Sequence, residues 1–265
     1  MKQKRFWLRI GLIVLAVPIA YLWWFPQVWR CQTIGWRGYV EIQPNIWIPQ
    51  EMHFNSNAAR RHSMDSAFFQ RVAEARGRVR RLWGSRVGDC PIIFAGHGYS
   101  PFGNFALEGD AVGAHIRSPF GSWIVLHEWN ADVLAHEMMH EELYRRLGWW
   151  VSSQQIPAWF DEGLALMVDY RFSTPHVSWR YQVFQKQWLT YTQNGKTAPR
   201  LEGLSSSRNF FAGNYYQQLK AYLTAGKAVA WWLQKGAKQS LLALVKRLEA
   251  GEAFESAFRN SGKQP

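Results

Sequence analysis

Short alternating or hydrophobic runs mark the first half of the chain, and helical periods dominate the second half. Residues 35–52 alternate and contain β-branched side chains, which predicts one or two short strands. Residues 63–84 have hydrophobic side chains at helical spacing and predict a helix that ends at a glycine. Hydrophobic runs at 90–96 and 122–129 predict two more strands. The glycine-rich stretch between residues 98 and 121 predicts a loop.

The second half of the chain predicts a series of helices. Asn130 or Asp132 can cap the start of the first one, and Gly148 can end it. A second helix is predicted to begin at Pro157, which is tolerated in a first turn. From Tyr215 to the end the pattern is again helical, whereas the region between is mixed. The sequence therefore predicts an α+β fold with a small sheet and a helical C-terminal half.

The first thirty residues predict a membrane anchor. Basic residues from Lys2 to Arg9 precede an uncharged run from Ile10 to Phe25, which is slightly short of the roughly 20 residues that span a bilayer core. Arg9 can snorkel and so extend the span. We expect an uncleaved single-pass transmembrane helix within residues 1–30, and a cleaved signal peptide is the alternative.

The distribution of charge predicts which side of the membrane the remaining chain occupies. By the positive-inside rule, the basic N-terminus stays in the cytoplasm. We therefore expect a protein of the cytoplasmic (inner) membrane, with residues 31–265 on the extracytoplasmic side. This part is expected to be one domain, with an α/β part at about 31–129 and a helical part at about 130–265.

The chain is basic but carries no nucleic-acid-binding motif. Its 265 residues have a formal net charge of +12, and 48% are hydrophobic, which excludes a disordered composition. The basic stretches at 59–62 and 76–86 are typical of a solvated helix face. Because no zinc-finger spacing, glycine-rich phosphate loop or RNA-recognition signature accompanies the charge, no nucleic-acid partner is expected.

Two cysteines, Cys31 and Cys90, are present. In an oxidising compartment such a pair can form a disulfide, and two unpaired thiols are the alternative. Neither cysteine has the sequence neighbours of a zinc ligand or of a catalytic nucleophile.

The most informative stretch is His136-Glu137-Met138-Met139-His140, which matches H-E-x-x-H on a helix. Its two histidines lie one turn apart on the apolar face, so they are either hydrogen-bonded core residues or metal ligands. Two imidazoles at this spacing can both reach one Zn²⁺, and Glu137 can act as general base on a metal-activated water. The motif alone has little specificity, because His127-Glu128 begins in the same way.

A carboxylate that can complete the ligand set occurs 22 positions after His140. Glu162 lies on the second predicted helix, beyond the glycine and the proline that separate the two helices. Two antiparallel helices joined in this way can bring its carboxylate over the histidine pair. Two histidines and one carboxylate leave a fourth position open for water, which is typical of a catalytic zinc.

These two segments resemble the gluzincin clan of zinc metallopeptidases (peptidase MA-like). The resemblance rests on "VLAHEMMH" followed by "PAWFDEGLA". In that family the second helix typically reads W-[LF]-x-E-G-[LFA]-A, and its glutamate is the third ligand. The resemblance implies a zincin-like domain that acts on a peptide or protein, with His136, His140 and Glu162 as Zn²⁺ ligands and Glu137 as general base.

The resemblance also implies a group that stabilises the oxyanion. In many gluzincins a tyrosine of the C-terminal helical half has this role. "AYLTAGKAVAWWL" is the segment most similar to that part of the family, and it implies Tyr222. Tyr215 and Tyr216 are alternatives, His176 is a remoter one, and a tyrosine that only packs in the core fits Tyr222 equally well.

Other acidic residues nearby are interpreted as structural. Asp161 is expected to be solvated, and Glu141 and Glu142 to be exposed helix carboxylates. Asp169 lies two helical turns beyond Glu162 and could orient a histidine. The G-x-M-E-N segment of gluzincin aminopeptidases has no counterpart, since the comparable "AVGAHIRSPFG" contains no acidic residue.

The sequence therefore predicts a membrane-anchored zinc metallopeptidase, a hydrolase that cleaves peptide bonds. The alternative is a non-catalytic, membrane-tethered binding or assembly module that retains a metallopeptidase-like scaffold. An intact Glu137 favours the enzyme, because a scaffold does not need a general base.

Overall fold

The computed structural model describes residues 20–21, 23–54, 58–84, 87–95, 112–234 and 237–262. These residues form an α+β fold with one small mixed sheet and ten α-helices. The strands all lie before residue 127, and most of the helices follow them along the chain.

The sheet has five strands in the order β1-β2-β3-β5-β4. β1 pairs antiparallel with β2, β2 and β5 both pair parallel with β3, and β4 pairs antiparallel with β5. The strands are β1 (Tyr39–Gln43), β2 (Ile46–Pro49), β3 (Ile92–Phe94), β4 (Gly113–Ser118) and β5 (Gly121–Leu126). β4 is therefore an edge strand, and among the described strands only β5 pairs with it.

The helices fill the rest of the described fold. Their bounds are α1 (Pro26–Gln32), α2 (Gln50–Phe54), α3 (Ala58–Trp83), α4 (Ala131–Gln154), α5 (Ala158–Ala165), α6 (Arg180–Tyr191), α7 (Ser207–Phe210), α8 (Tyr215–Gln234), α9 (Ala237–Glu249) and α10 (Phe254–Ser261). Short 3₁₀-helices cover Ile34–Trp36, Val177–Trp179 and Leu201–Leu204.

Helix α4 runs through the middle of the main hydrophobic core. It packs against α3, α5, β4 and β5, so that every residue from Val133 to Leu143 is buried. Apolar side chains of α4 account for part of this burial. The same stretch also buries five titratable side chains, which need partners because an unpaired polar group in a core is costly. They are His136, Glu137, His140, Glu141 and Glu142.

Gly163 allows α5 to approach α8 closely. A Cβ atom at this position would be 2.8 Å from the backbone oxygen of Ala225 and 2.8 Å from Cγ2 of Val229. We expect Gly163→Ala to lower the free energy of unfolding by about 1–3 kcal/mol, measured by urea denaturation, because the two helices must move apart. Gly203→Ala is the matched control, since a Cβ there meets no atom within 4 Å. Equal stability of the two variants would contradict this packing.

One predicted loop is partly a strand. β4 occupies residues 113–118, within the stretch for which the sequence predicted a loop. Only Ile116 and Ser118 of this strand are buried, and Arg117 and His115 interrupt the apolar pattern. A half-exposed edge strand of this kind lacks the hydrophobic run by which β3 and β5 were predicted.

The prediction that the fold includes an N-terminal transmembrane helix was wrong. Within the described residues, none of the helices combines the length and apolar character that crossing a membrane requires. Phe25 has non-helical backbone angles, and Pro26 begins the separate seven-residue helix α1. Residues 1–19 and 22, on which most of that prediction falls, lie outside the described residues.

The two cysteines do not form the disulfide that the sequence allowed. Cys31 and Cys90 are both free and buried, and they belong to different hydrophobic clusters. Burial raises the pKa of the Cys31 thiol to about 12, so this thiol is protonated at neutral pH.

Candidate metal centre

Helices α4 and α5 bring the two predicted histidines and the predicted carboxylate together. The side chain of Asn130 caps α4 by accepting a hydrogen bond from the backbone nitrogen of Asp132, at 2.8 Å. Gly148 has a φ of 74° and interrupts α4, as a helix end was predicted there, but helical turns resume and continue to Gln154. Pro157 then caps the start of α5, which packs against α4.

The three predicted ligands converge on one point. Nε2 of His136 is 3.3 Å from Oε2 of Glu162, and Nε2 of His140 is 3.7 Å from Oε1 of Glu162. One potential ligand atom from each residue lies within 4.8 Å of the other two. Ligand atoms about 2.0–2.2 Å from a tetrahedral ion are about 3.3–3.6 Å apart, so this donor set fits a small divalent cation.

The other nitrogen of each imidazole faces a buried aspartate. Nδ1 of His140 is 2.7 Å from Oδ1 of Asp161. Nδ1 of His136 is 3.3 Å from Oδ2 of Asp169, although these atoms lack the alignment of a hydrogen bond. Histidines that bind a metal through Nε2 commonly donate their Nδ1 proton to a carboxylate, which fixes the tautomer and the ring orientation.

Each of these aspartates in turn faces an arginine. Arg117 of β4 donates a hydrogen bond from a terminal guanidinium nitrogen to Oδ2 of Asp161, at 3.1 Å. Arg171 donates to both carboxylate oxygens of Asp169, at 2.9 Å and 2.6 Å. The two aspartates are 7% and 0% exposed, so these cations offset the cost of burying their charge.

The charges around the histidines match those of a divalent cation. With neutral imidazoles, four carboxylates and two guanidinium groups leave two negative charges at the site. The carboxylates are Glu137, Asp161, Glu162 and Asp169, and the guanidinium groups are Arg117 and Arg171.

Without a cation the same field favours protons on the imidazoles. Burial opposes the charged imidazolium of His136, but Asp169 and Glu162 outweigh it and raise the pKa of His136 to about 10. The pKa of His140 is raised as well, because Asp161 and Glu162 outweigh its burial. Despite its burial, the pKa of Asp169 is lowered to about 2 by His136 and Arg171. The carboxylates around the two imidazoles therefore favour positive charge at the histidine pair.

Glu137 lies beside the ligands without belonging to the ligand group. It is buried on α4, and a Cβ added to Gly113 of β4 would be 3.4 Å from its Cγ. Its charge is among those that raise the pKa values of His136 and Tyr222, so it lies near both side chains.

Tyr222 is the one of the four proposed oxyanion groups that the structure brings near the site. Burial raises the pKa of its phenol well above the usual value, and the charges of Glu162 and Glu137 add to this effect. Its ring stacks on Phe172, with the centroids 6.1 Å apart. The three alternatives are exposed: Tyr215 and Tyr216 contact each other, and His176 contacts Trp179.

Several predictions about neighbouring acids were wrong. Asp161 is buried against His140 rather than solvated, because every residue of α5 except Glu162 is buried. Glu141 and Glu142 are buried rather than exposed. Glu141 pairs with His115 at 2.8 Å between Oε2 and Nε2, and Glu142 pairs with Arg145 and Arg146.

Arg117 and Arg171 were not predicted as site residues from the sequence, and the role of Asp169 was left open. Apart from Glu162, the residues around Asp161 on its predicted helix are apolar or glycine, and this was a usable signal that Asp161 would be buried and would need a partner. No comparable signal marks Arg117, whose role depends on a strand that the sequence did not predict.

Comparisons with family models, with curated proteins and with solved structures find no match to this chain. The gluzincin resemblance therefore rests on the motif residues themselves.

Proposed function

We propose that this protein is a zinc-dependent peptidase of gluzincin type, with the metal held by His136, His140 and Glu162. The observation that supports this most strongly is the arrangement of the imidazoles. Both Nε2 atoms converge on one carboxylate, while both Nδ1 atoms face buried aspartates. Both nitrogens of a buried core histidine also need partners, but separate partners would serve; here the two Nε2 atoms share one carboxylate while each Nδ1 faces its own aspartate, which is the arrangement of a metal-binding pair.

Zinc is the ion that this donor set favours. Two imidazoles and one carboxylate leave an open position, and when bound the ion would polarise a carbonyl group and activate water. The side chain of Glu162 is 13% exposed, so this proposed ligand contacts solvent, whereas Asp169 is fully buried.

Glu137 would move the proton. As general base its carboxylate takes a proton from the attacking water and delivers it to the nitrogen of the leaving amine. Helix geometry places Glu137 beside His136 but on a different side of the helix, so its oxygens remain available for this task. β4 passes within contact distance of Glu137 at Gly113, where a Cβ would be 3.4 Å from Cγ of Glu137.

Tyr222 would donate to the oxyanion that develops on the scissile carbonyl. A donor must keep its proton at the working pH, and the raised pKa of Tyr222 ensures this. Stacking on Phe172 and the edge-to-face contact with Phe210 restrict the orientation of the phenol ring.

A peptide fits as substrate because β4 borders the site and is an edge strand of the described sheet. No other described strand pairs with the outer side of β4. An extended peptide can pair with such an edge through its backbone, which brings a scissile bond toward the residues that β4 faces on α4.

Removal and return of zinc would test the proposal. We expect hydrolysis of casein by the zinc-loaded protein, loss of this activity after treatment with 1,10-phenanthroline, and recovery on addition of Zn²⁺. The expected cause is that the water and the carbonyl are activated only at the ion. Equal hydrolysis by metal-free and zinc-loaded protein would contradict the proposal. Bound zinc without hydrolysis of casein or of a mixed peptide library would support the binding-module alternative.

A further inference from the structure

Strand β4 contacts the helices of the candidate site at three alternate positions. Gly113 lies against Glu137, the side chain of His115 pairs with Glu141, and that of Arg117 pairs with Asp161. These are alternate residues, so they project from the same face of β4. Arg117 thus connects the edge strand to α5 at Asp161, the residue that precedes the proposed ligand Glu162.

The two carboxylate oxygens of Asp161 contact partners from different elements. Its Oδ1 is 2.7 Å from Nδ1 of His140, and its Oδ2 accepts a hydrogen bond from Arg117 at 3.1 Å. A carboxylate held at both oxygens cannot rotate, so the imidazole that donates to it is held in one orientation. Loss of Arg117 would leave a buried carboxylate with one neutral partner, which favours its rotation toward solvent.

Each of the two histidines faces an aspartate that is held by an arginine, but the two arginines lie at very different distances along the chain. Arg171 lies two residues beyond Asp169 in the same segment, so the support of His136 is local. Arg117 is 44 positions before Asp161 and belongs to the sheet. Of these two aspartate–arginine pairs, only Asp161–Arg117 therefore connects a proposed ligand, His140, to β4.

We propose that Arg117 is a positioning residue, which holds the metal ligand His140 through Asp161 and so ties the ligand geometry to edge strand β4. This inference rests on the metal site proposed above, but it concerns metal binding and not hydrolysis. It assigns a role in the site to a side chain that contacts neither the ligand atoms nor the general base.

The full chain and three variants would be tested for Zn²⁺ affinity by competition with a chromophoric chelator. We expect Arg117→Gln to weaken zinc binding by about 10–100-fold, as loss of an outer partner of a ligand does, and Arg117→Lys to restore part of it. Arg145→Gln is the matched control. It also removes an arginine from a buried carboxylate, Glu142, but that carboxylate contacts no proposed ligand. We expect its zinc affinity to equal that of the wild type.

A double-mutant cycle separates positioning from general loss of stability. If Arg117 acts through Asp161, the double variant Arg117→Gln/Asp161→Asn binds zinc no more weakly than Asp161→Asn alone. Arg117→Gln, Asp161→Asn and the double variant should all change the visible spectrum of the Co²⁺-substituted protein in the same way, since His140 is reoriented in each. Thermal unfolding of the metal-free proteins shows which variants are folded.

The outcomes distinguish this inference from the proposed function. Zinc affinity of Arg117→Gln equal to that of the wild type, or additive effects in the cycle, would overturn the role of Arg117 and leave the metal site intact. A wild-type protein that binds neither Zn²⁺ nor Co²⁺ would overturn both.

Discussion

Glu137→Gln is expected to reduce kcat/KM for peptide hydrolysis by about 10²–10⁴-fold, the usual contribution of a positioned general base. The amide has nearly the same shape as the carboxylate but cannot accept the proton of the attacking water. Because Glu137 is not in the ligand group, the variant should bind zinc as the wild type does. The measurement is initial-rate hydrolysis of a fluorogenic peptide that the wild type cleaves, together with the zinc content of both proteins.

Glu128→Gln is the control for this prediction. Glu128 follows a histidine just as Glu137 does, but it precedes α4 and has no histidine three positions later. We expect full activity from this variant. If zinc-loaded Glu137→Gln were as active as the wild type, Glu137 would not be the base, and the proposed mechanism would be refuted.

Glu162→Gln is expected to have the largest effect on metal binding. It removes the only charged donor of the ligand group, so zinc affinity should fall by more than the roughly 10–100-fold that an outer partner contributes. The amide keeps the size of the side chain, and α5 should therefore pack as before. Competition with a chelator measures the affinity, and activity should fall in parallel at limiting zinc.

The matched control here is Glu141→Gln. Glu141 is also a carboxylate shielded from solvent and is adjacent to His140 in sequence, but it pairs with His115 and is not in the ligand group. Its loss should leave zinc affinity unchanged even if it destabilises the contact between α4 and β4. Equal losses of affinity in the two variants would mean that charge near the helix, and not coordination by Glu162, holds the metal.

The proposed ligands could be predicted from the sequence because their placement depends on local geometry. The spacing of His136 and His140 fixes their relation on any helix. The position of Glu162 followed from a helix stop and a helix start within a short connection, and the structure brings its carboxylate to both imidazoles.

Asp169 could not be placed from the sequence, because its position depends on contacts between distant segments. From the sequence, Asp169 was taken to lie two helical turns beyond Glu162, whereas α5 ends at Ala165 and the chain turns back toward α4. The turn is held by Asp132, whose Oδ1 accepts from the backbone nitrogen of Tyr170 at 3.1 Å. The buried Arg78 pairs with Asp132 as well and donates to the backbone oxygen of Val168.

Arg78 also shows why charge runs in the sequence were misleading. It belongs to a stretch of basic residues that is typical of a solvated helix face, yet it is only 7% exposed. Its guanidinium lies over the ring of Tyr170, 4.0 Å from the centroid. Whether one arginine in such a run is buried depends on acids far away in sequence, and no local pattern encodes them.

X-ray absorption at the zinc K-edge of the zinc-loaded wild-type protein tests the metal assignment most directly. The proposed centre predicts one bound zinc with two imidazole nitrogens at about 2.0–2.1 Å and carboxylate or water oxygens at about 2.0–2.2 Å. The imidazole signal should be lost in a protein without His136 and His140. A protein that takes up no zinc, or a bound ion whose spectrum contains no imidazole scattering, would contradict the assignment.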